Sequence, residues 1–163
     1  MSDSNMAGFM IRRAAEQDAP ALARLCAQLG YPTEQDVLTP RLAAILERPD
    51  QAVFVAAASG GEIIGWLHVL TTQYLESEAF AEIGGIVVDE RHRRGGAGRA
   101  LMQAAEVWAV EQGLRAVRLR SNVIREKAHL FYRSIGYQQV KSQYTFEKEL
   151  DQARGGRTGT PWA

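Results

Sequence analysis

Four arginines and three glycines crowd into "DERHRRGGAGRALM", residues 89–102. Glycine loses more backbone entropy on folding than any other residue, and clustered like charges repel, so a negatively charged ligand is the simplest compensation for both. The segment follows an apolar run, "EIGGIVV", and leads into an amphipathic one that continues to about Gln112. Strand, short glycine-rich loop and helix, in that order, aim backbone N–H groups and the positive end of a helix dipole at one point, which makes an anion site. Gly95, Gly96 and Gly98 let the backbone approach an anion closely, and Arg93, Arg94 and Arg99 add charge-assisted bonds of the kind phosphate oxygens accept. The expected ligand carries phosphate. The competing reading is a glycine-rich turn whose arginines are merely solvated.

Two nucleotide fingerprints fail at this segment. A Walker loop needs a Gly-Lys pair, and the chain has none. The dinucleotide pattern wants glycine or alanine where Leu101 stands. Metal chemistry has no better footing. His68, His92 and His129 are scattered, and neither H-E-x-x-H nor C-x-x-C occurs. His68, in "GWLHVL", remains a candidate to face a substrate, whereas His129 reads as a packing or surface residue. Cys26 is alone, so no internal disulfide forms, and "ALARLCAQLG" reads as a helix that buries it.

The elements that position these residues follow from periodicity and punctuation. "FMIRRA" (9–14) reads as an opening strand. Residues 16–30 read as a helix with Asp18 as its cap, Pro20 in the first turn, and Leu22, Leu25, Cys26 and Leu29 on one face. A second helix is expected from about Glu34 to Glu47, with Pro40 as a possible break. "QAVFVAAAS" and "EIIGWLHVLTTQYL" read as a hairpin joined at a Gly-Gly pair, and "EIGGIVVD" (82–89) as a further strand. Next come a helix with Leu101, Ala105 and Trp108 along one face, a strand "RAVRLRS", a helix "EKAHLFYRSIG" and a closing strand "QYTFEKEL". Strands alternating with helices, with hairpins at either end, argue for an α/β chain.

Length and charge set the bounds. The chain has 163 residues, enough for one domain. Nineteen basic and nineteen acidic side chains cancel, so no field for nucleic acid is expected. No apolar run reaches the roughly 20 residues that span a bilayer, and "MSDSNMAGFM" has no signal-peptide pattern. The expectation is a soluble cytoplasmic protein.

"VVDERHRRGGAGRALM" resembles the acyl-CoA-binding motif of the GCN5-related N-acetyltransferase superfamily, a strand and then R/Q-x-x-G-x-G/A at a helix start, matched by Arg93, Gly96 and Gly98. "LRSNVIREKAHLFYRSIGY" (119–137) resembles the superfamily's later segment, an asparagine near a strand end and then A-x-x-x-Y-x-x-x-G-[FY]. Asn122, Ala128, Tyr132, Gly136 and Tyr137 fall on it. "LGYP" and "AEIGGIVVDE" resemble a large group of bacterial members. One departure is Arg125, where many members carry a second asparagine.

The resemblance implies a mixed α/β (α+β) fold, with a mostly antiparallel central sheet of six to seven strands and about four helices. It implies one domain over residues 9–150, between flexible ends at 1–8 and 151–163. The implied reaction is transfer of an acetyl group from acetyl-CoA to an amine, through direct attack in a ternary complex. The alternative is an acyl-CoA-binding regulator or sensor without turnover. Backbone groups of Ile86, Val87 and Val88 are expected to pair with the pantetheine arm, and Arg93, Arg94, Gly95, Gly96, Ala97, Gly98 and Arg99 to hold the pyrophosphate. Gly84 and Gly85 are expected either to allow close approach or to form a bulge. Asn122 would bond the pantetheine arm or orient a water. Tyr132 corresponds to the general-acid tyrosine, and Glu82, or a chain of waters, would take the amine's proton. Tyr31, Tyr74, Glu76 and Glu78 are expected to rim a pocket for a cationic acceptor, a small molecule or a peptide amine. No metal is expected, and a homodimer is the implied assembly.

Overall fold

The computed structural model describes residues 8–151. Most of the two ends expected to be flexible, residues 1–7 and 152–163, lies outside the described residues. The chain divides between Val123 and Ile124 into two compact units.

The first unit is built on a five-stranded sheet in the order β1-β2-β3-β4-β5. Its strands are β1 (Phe9–Arg13), β2 (Gln51–Ala58), β3 (Ile63–Thr72), β4 (Phe80–Val88) and β5 (Val117–Leu119). The first four pair antiparallel as successive neighbours. β5 lies parallel to β4, because the chain returns to the sheet through a helix rather than a tight turn. Almost every residue of β2 is buried, which fits a strand covered on both faces and explains why "AVFVAA" lacks alternation.

Helix α1 (Ala19–Leu29) and helix α2 (Gln35–Leu46) bury Leu22, Leu25 and Leu42 against Val53, Val55, Ala57 and Val87 of the sheet. Leu29 and Trp66 pack against the same cluster. Helix α3 (Ala97–Glu111) buries Ala97, Leu101, Met102, Ala105, Trp108 and Ala109, a stripe at three- and four-residue spacing. It includes the three positions expected from the sequence. Pro40 sits inside α2 without dividing it. Asp18 departs from expectation. Its carboxylate gives α1 no side-chain cap; it accepts from the Ala15 N–H at 2.8 Å and from both terminal nitrogens of Arg12 at 2.8 and 2.9 Å. It therefore ties the end of β1 to the turn that enters α1.

The second unit contains α4 (Glu126–Ser134), within which the rings of Phe131 and Tyr132 meet at a tilt with centroids 5.3 Å apart; Tyr137 meets Tyr132 at 6.4 Å. The closing strand expected at "QYTFEKEL" is absent, since residues 137–150 form no helix or strand. Tyr144 and Phe146 are about nine-tenths exposed. Alternating side chains favour a strand only where a neighbour accepts its backbone groups, and this segment has no strand partner among the described residues. The fold is thus mixed α+β with five strands and four α-helices among the described residues, fewer strands than the six or seven expected. None of those helices is long and apolar enough to cross a membrane.

Leu101 is fully buried between α3 and the sheet. Leu101→Ala should cost about 2–5 kcal/mol of stability in urea unfolding. Val110→Ala, on the exposed side of the same helix, should stay within about 0.5 kcal/mol.

Candidate active site

The arginine- and glycine-rich segment lies where the strand–loop–helix order predicts, between β4 and α3. Arg94 adopts a left-handed conformation with φ 70°, uncommon for a residue with a Cβ. Gly96, the residue that caps α3, has φ 90°. Nothing lies within 4 Å of the place its Cβ would take, so glycine is needed there for the backbone and not for space. No side chain caps α3, which leaves its first-turn N–H groups without a side-chain acceptor. Left-handed residues just ahead of an uncapped helix start are the ingredients of an anion-binding concavity. Arg94 and Arg99 are exposed beside it. Arg93 turns back instead and donates from Nε to the Val88 carbonyl at 3.2 Å.

Upstream, β4 loses a neighbour. It pairs with β5 only at Ala81, Glu82 and Ile83, while β3 stays beside it to Val88. Along 84–88 its other edge therefore has no strand among the described residues. At the same point the β3–β4 register slips by one residue, so that Gly84 is the extra residue of a bulge opposite His68. A Cβ on Gly84 would come within 2.9 Å of His68 Nδ1, and one on Gly85 within 3.1 Å of the Trp66 ring. The two glycines make room for two aromatic side chains of β3, and the bulge reading holds.

Residues 17–137 match the Acetyltransferase (GNAT) family. This chain belongs to that family. It is 30% identical over 145 residues to an aminoglycoside N(6')-acetyltransferase type 1 of Stenotrophomonas maltophilia, covering 86% of this chain and 94% of that protein. Its fold matches that of aminoglycoside 6'-N-acetyltransferase AAC(6')-Ih of Acinetobacter baumannii at a TM-score of 0.79, with 19% identity over 88% of this chain and 100% of the other. It also matches AAC(6')-Iy, solved with the bisubstrate analogue CoA-S-monomethyl-acetylneamine, at a TM-score of 0.78, with 20% identity over 86% and 98% of the two chains.

In this acetyltransferase Glu82 lies on β4 opposite Leu70, on the sheet face that also carries His68. Its side chain is mostly buried, 17% exposed. Arg120, just beyond β5, reaches Oε1 at 3.1 Å, and Thr72 donates to Oε2 at 3.4 Å. Tyr74, Glu76 and Glu78 sit together in the exposed β3–β4 connection, where Tyr74 packs on Phe80 at 5.7 Å. Tyr31 lies apart from them in sequence, in the turn after α1, with its side chain exposed. Asn122 follows β5. Tyr132 lies in the second unit, where burial pushes its phenol pKa up and Arg125 pulls it down by less.

Asp89, which the sequence did not single out, is the buried acid of this region, 1% exposed. Its carboxylate accepts from the side chain and backbone N–H of Arg91, from Arg24 at 3.2 Å and from Gln28 at 3.4 Å. Arg91 first, helped by Arg24 and Gln28, holds its pKa well below the usual carboxylate range against the opposing effect of burial. The only sequence signal was an acid at a strand end followed by basic residues. Asp89→Ala should cost about 2–4 kcal/mol at pH 7 in denaturant titration. Because the folded-state pKa is depressed, the contribution is complete above the unfolded value near about 3.9 and fades as pH falls through the lower folded value. The gap between wild type and Asp89→Ala should therefore narrow in strongly acidic buffer.

Proposed function

We propose that this protein transfers the acetyl group of acetyl-CoA to an amino group of a small polycationic molecule of the aminoglycoside class, by direct attack in a ternary complex. The observation that carries the proposal is the coincidence of two features. β4 parts from β5 after Ile83, and a left-handed Arg94–Gly96 loop opens onto the uncapped start of α3 one strand-end later. The first offers unpaired backbone at Ile86, Val87 and Val88 for the amides of a pantetheine arm. The second offers N–H groups and the Arg94 and Arg99 cations for a pyrophosphate. The class of acceptor is supported by the 30% identical relative, whose name is that of an aminoglycoside N(6')-acetyltransferase.

Acetyl-CoA supplies an acyl carbon activated as a thioester. The chain's own residues then have three tasks. An amine with a pKa near about 10.4 arrives as an ammonium, which a carboxylate attracts; Glu82 is that carboxylate, with Glu76, Glu78, Tyr74 and Tyr31 as an outer rim. Backbone groups of β4 along the open edge stabilise the oxygen that gains charge. Tyr132, protonated at neutral pH, donates to the departing sulfur, and Asn122 helps to hold the arm. Residues 9–150 act as one domain in this reading, supported by a family match that spans both compact units. A cytoplasmic homodimer, with no partner among nucleic acids, belongs to the same reading and rests on family resemblance and neutral net charge.

Calorimetric titration should show micromolar binding of acetyl-CoA and coenzyme A but not of ATP or NAD. Replacing Arg94 and Arg99 together by alanine should weaken it at least about tenfold. Tyr132→Phe should lower kcat on an aminoglycoside about 100-fold with the acetyl-CoA Kd unchanged. Preference for ATP or NAD would sink the proposal, and an unchanged kcat would remove the tyrosine from it.

A further inference from the structure

His68 stands at one place where three features of the sheet meet. Gly84 and Gly85 both oppose it across the β3–β4 bulge. Because Gly84 has no side chain, the imidazole reaches over β4, and Nδ1 lies 2.9 Å from the point where a Cβ would be. On its other side, Nε2 lies 2.7 Å from Gln51 Oε1 on β2. Paired with that amide oxygen, which only accepts, the ring is assigned the tautomer with the proton on Nε2 and the lone pair on Nδ1, facing Gly84. Gly84 is also the first residue of β4 beyond the last pair with β5. The lone pair therefore sits over the point where the two strands part.

We propose that His68 Nδ1 takes the proton from the acceptor amine, with Gln51 fixing the tautomer and Glu82 holding the ammonium nearby. This rests on the acetyltransferase reading above. Glu82 is less suited to the proton itself, since Arg120 and Thr72 already occupy its two oxygens. Gln51 of β2 is the ring's polar partner, and Leu70 shares the space beside Gly84; Glu82 lies further along the same face, opposite Leu70, with the guanidinium of Arg120 on its Oε1. The bulge's other aromatic, Trp66, packs against the apolar cluster, as Leu29 of α1 does. Burial lowers the imidazole pKa, which keeps the ring neutral and able to accept at pH 7. In the transfer, the first ammonium proton goes to Nδ1 and frees the nitrogen pair. The N–C bond forms at the acyl carbon while the C–S bond breaks with its electrons on sulfur. Tyr132 gives its proton to that sulfur as the thiol and regains one from the second N–H, and the imidazolium returns its proton to water.

Three measurements on the full chain test this. Nitrogen NMR of the free protein should show His68 protonated at Nε2, bare at Nδ1, and titrating below the usual imidazole range. His68→Gln should reduce kcat about 100-fold or more with an unchanged acetyl-CoA Kd, and should abolish the acid limb of the kcat/KM profile. Gln51→Glu should move that limb to higher pH, because a carboxylate on Nε2–H favours the imidazolium. Wild type that turns over while His68→Gln keeps its rate within about threefold would overturn the assignment. So would a limb lost in Glu82→Gln but kept in His68→Gln, or a proton found on Nδ1. Wild type that binds no acetyl-CoA and releases no thiol would instead overturn the reaction, and the role of His68 with it.

Discussion

A single buried carboxylate holds the end of β4 and the loop that follows it in register. Asp89 closes β4, and its own N–H donates to the Ile64 carbonyl of β3 at 2.7 Å. Its side chain gathers Arg24 and Gln28 of α1, and Arg91 from the turn beyond the strand. Gln28 in turn accepts from the Glu90 N–H at 2.9 Å, and Arg24 donates to the Ile63 carbonyl at 3.0 Å. One acid thus fixes the strand end, the helix beside it and the first residues of the arginine loop. A buried charge is tolerable only when it is satisfied this fully, and once satisfied it resists rearrangement. The loop that follows can hold an unusual backbone at Arg94 and Gly96 because its point of departure is fixed.

The second constraint lies inside the sheet. A bulge displaces pairing by one residue and places two positions of β4 opposite one of β3. With larger residues at 84 and 85, His68 would have to shift and Trp66 to give slightly, since Cβ atoms there would meet them at 2.9 and 3.1 Å. The glycine pair converts a local irregularity into a surface where a ring from one strand covers the backbone of the next. The β4–β5 ladder ends at the same level, so the open backbone edge and the covered bulge are adjacent features of one strand.

Much of the scaffold was legible because burial imposes period and punctuation. The stripe of Leu101, Ala105 and Trp108, the helix closed at Gly30 and the strands of the hairpin all follow from local pattern. Patterns involving distant partners were not legible. Asp89 looks like an ordinary turn residue until α1 delivers Arg24 and Gln28, more than sixty positions earlier in the chain. Gly84 and Gly85 could be read as room for a ligand or as a bulge, and only register decides. Tyr144 and Phe146 alternate as in a strand, but pairing depends on an edge elsewhere, which sequence alone does not supply. Glu82 was identifiable as a carboxylate on the strand; its bond to Arg120 was not, because it joins positions 38 apart.

The four arginines of residues 89–102 illustrate how composition overstates available charge. Arg91 is taken up by Asp89 and Glu62, and Arg93 directs its Nε to the Val88 carbonyl. Arg94 and Arg99 are the two exposed at the loop and first turn without such a described bond. Four unpaired guanidinium groups in so short a segment would repel one another. Pairing half of them with the protein leaves a chain of zero net charge with two exposed cations beside the start of α3, where the helix dipole is also positive.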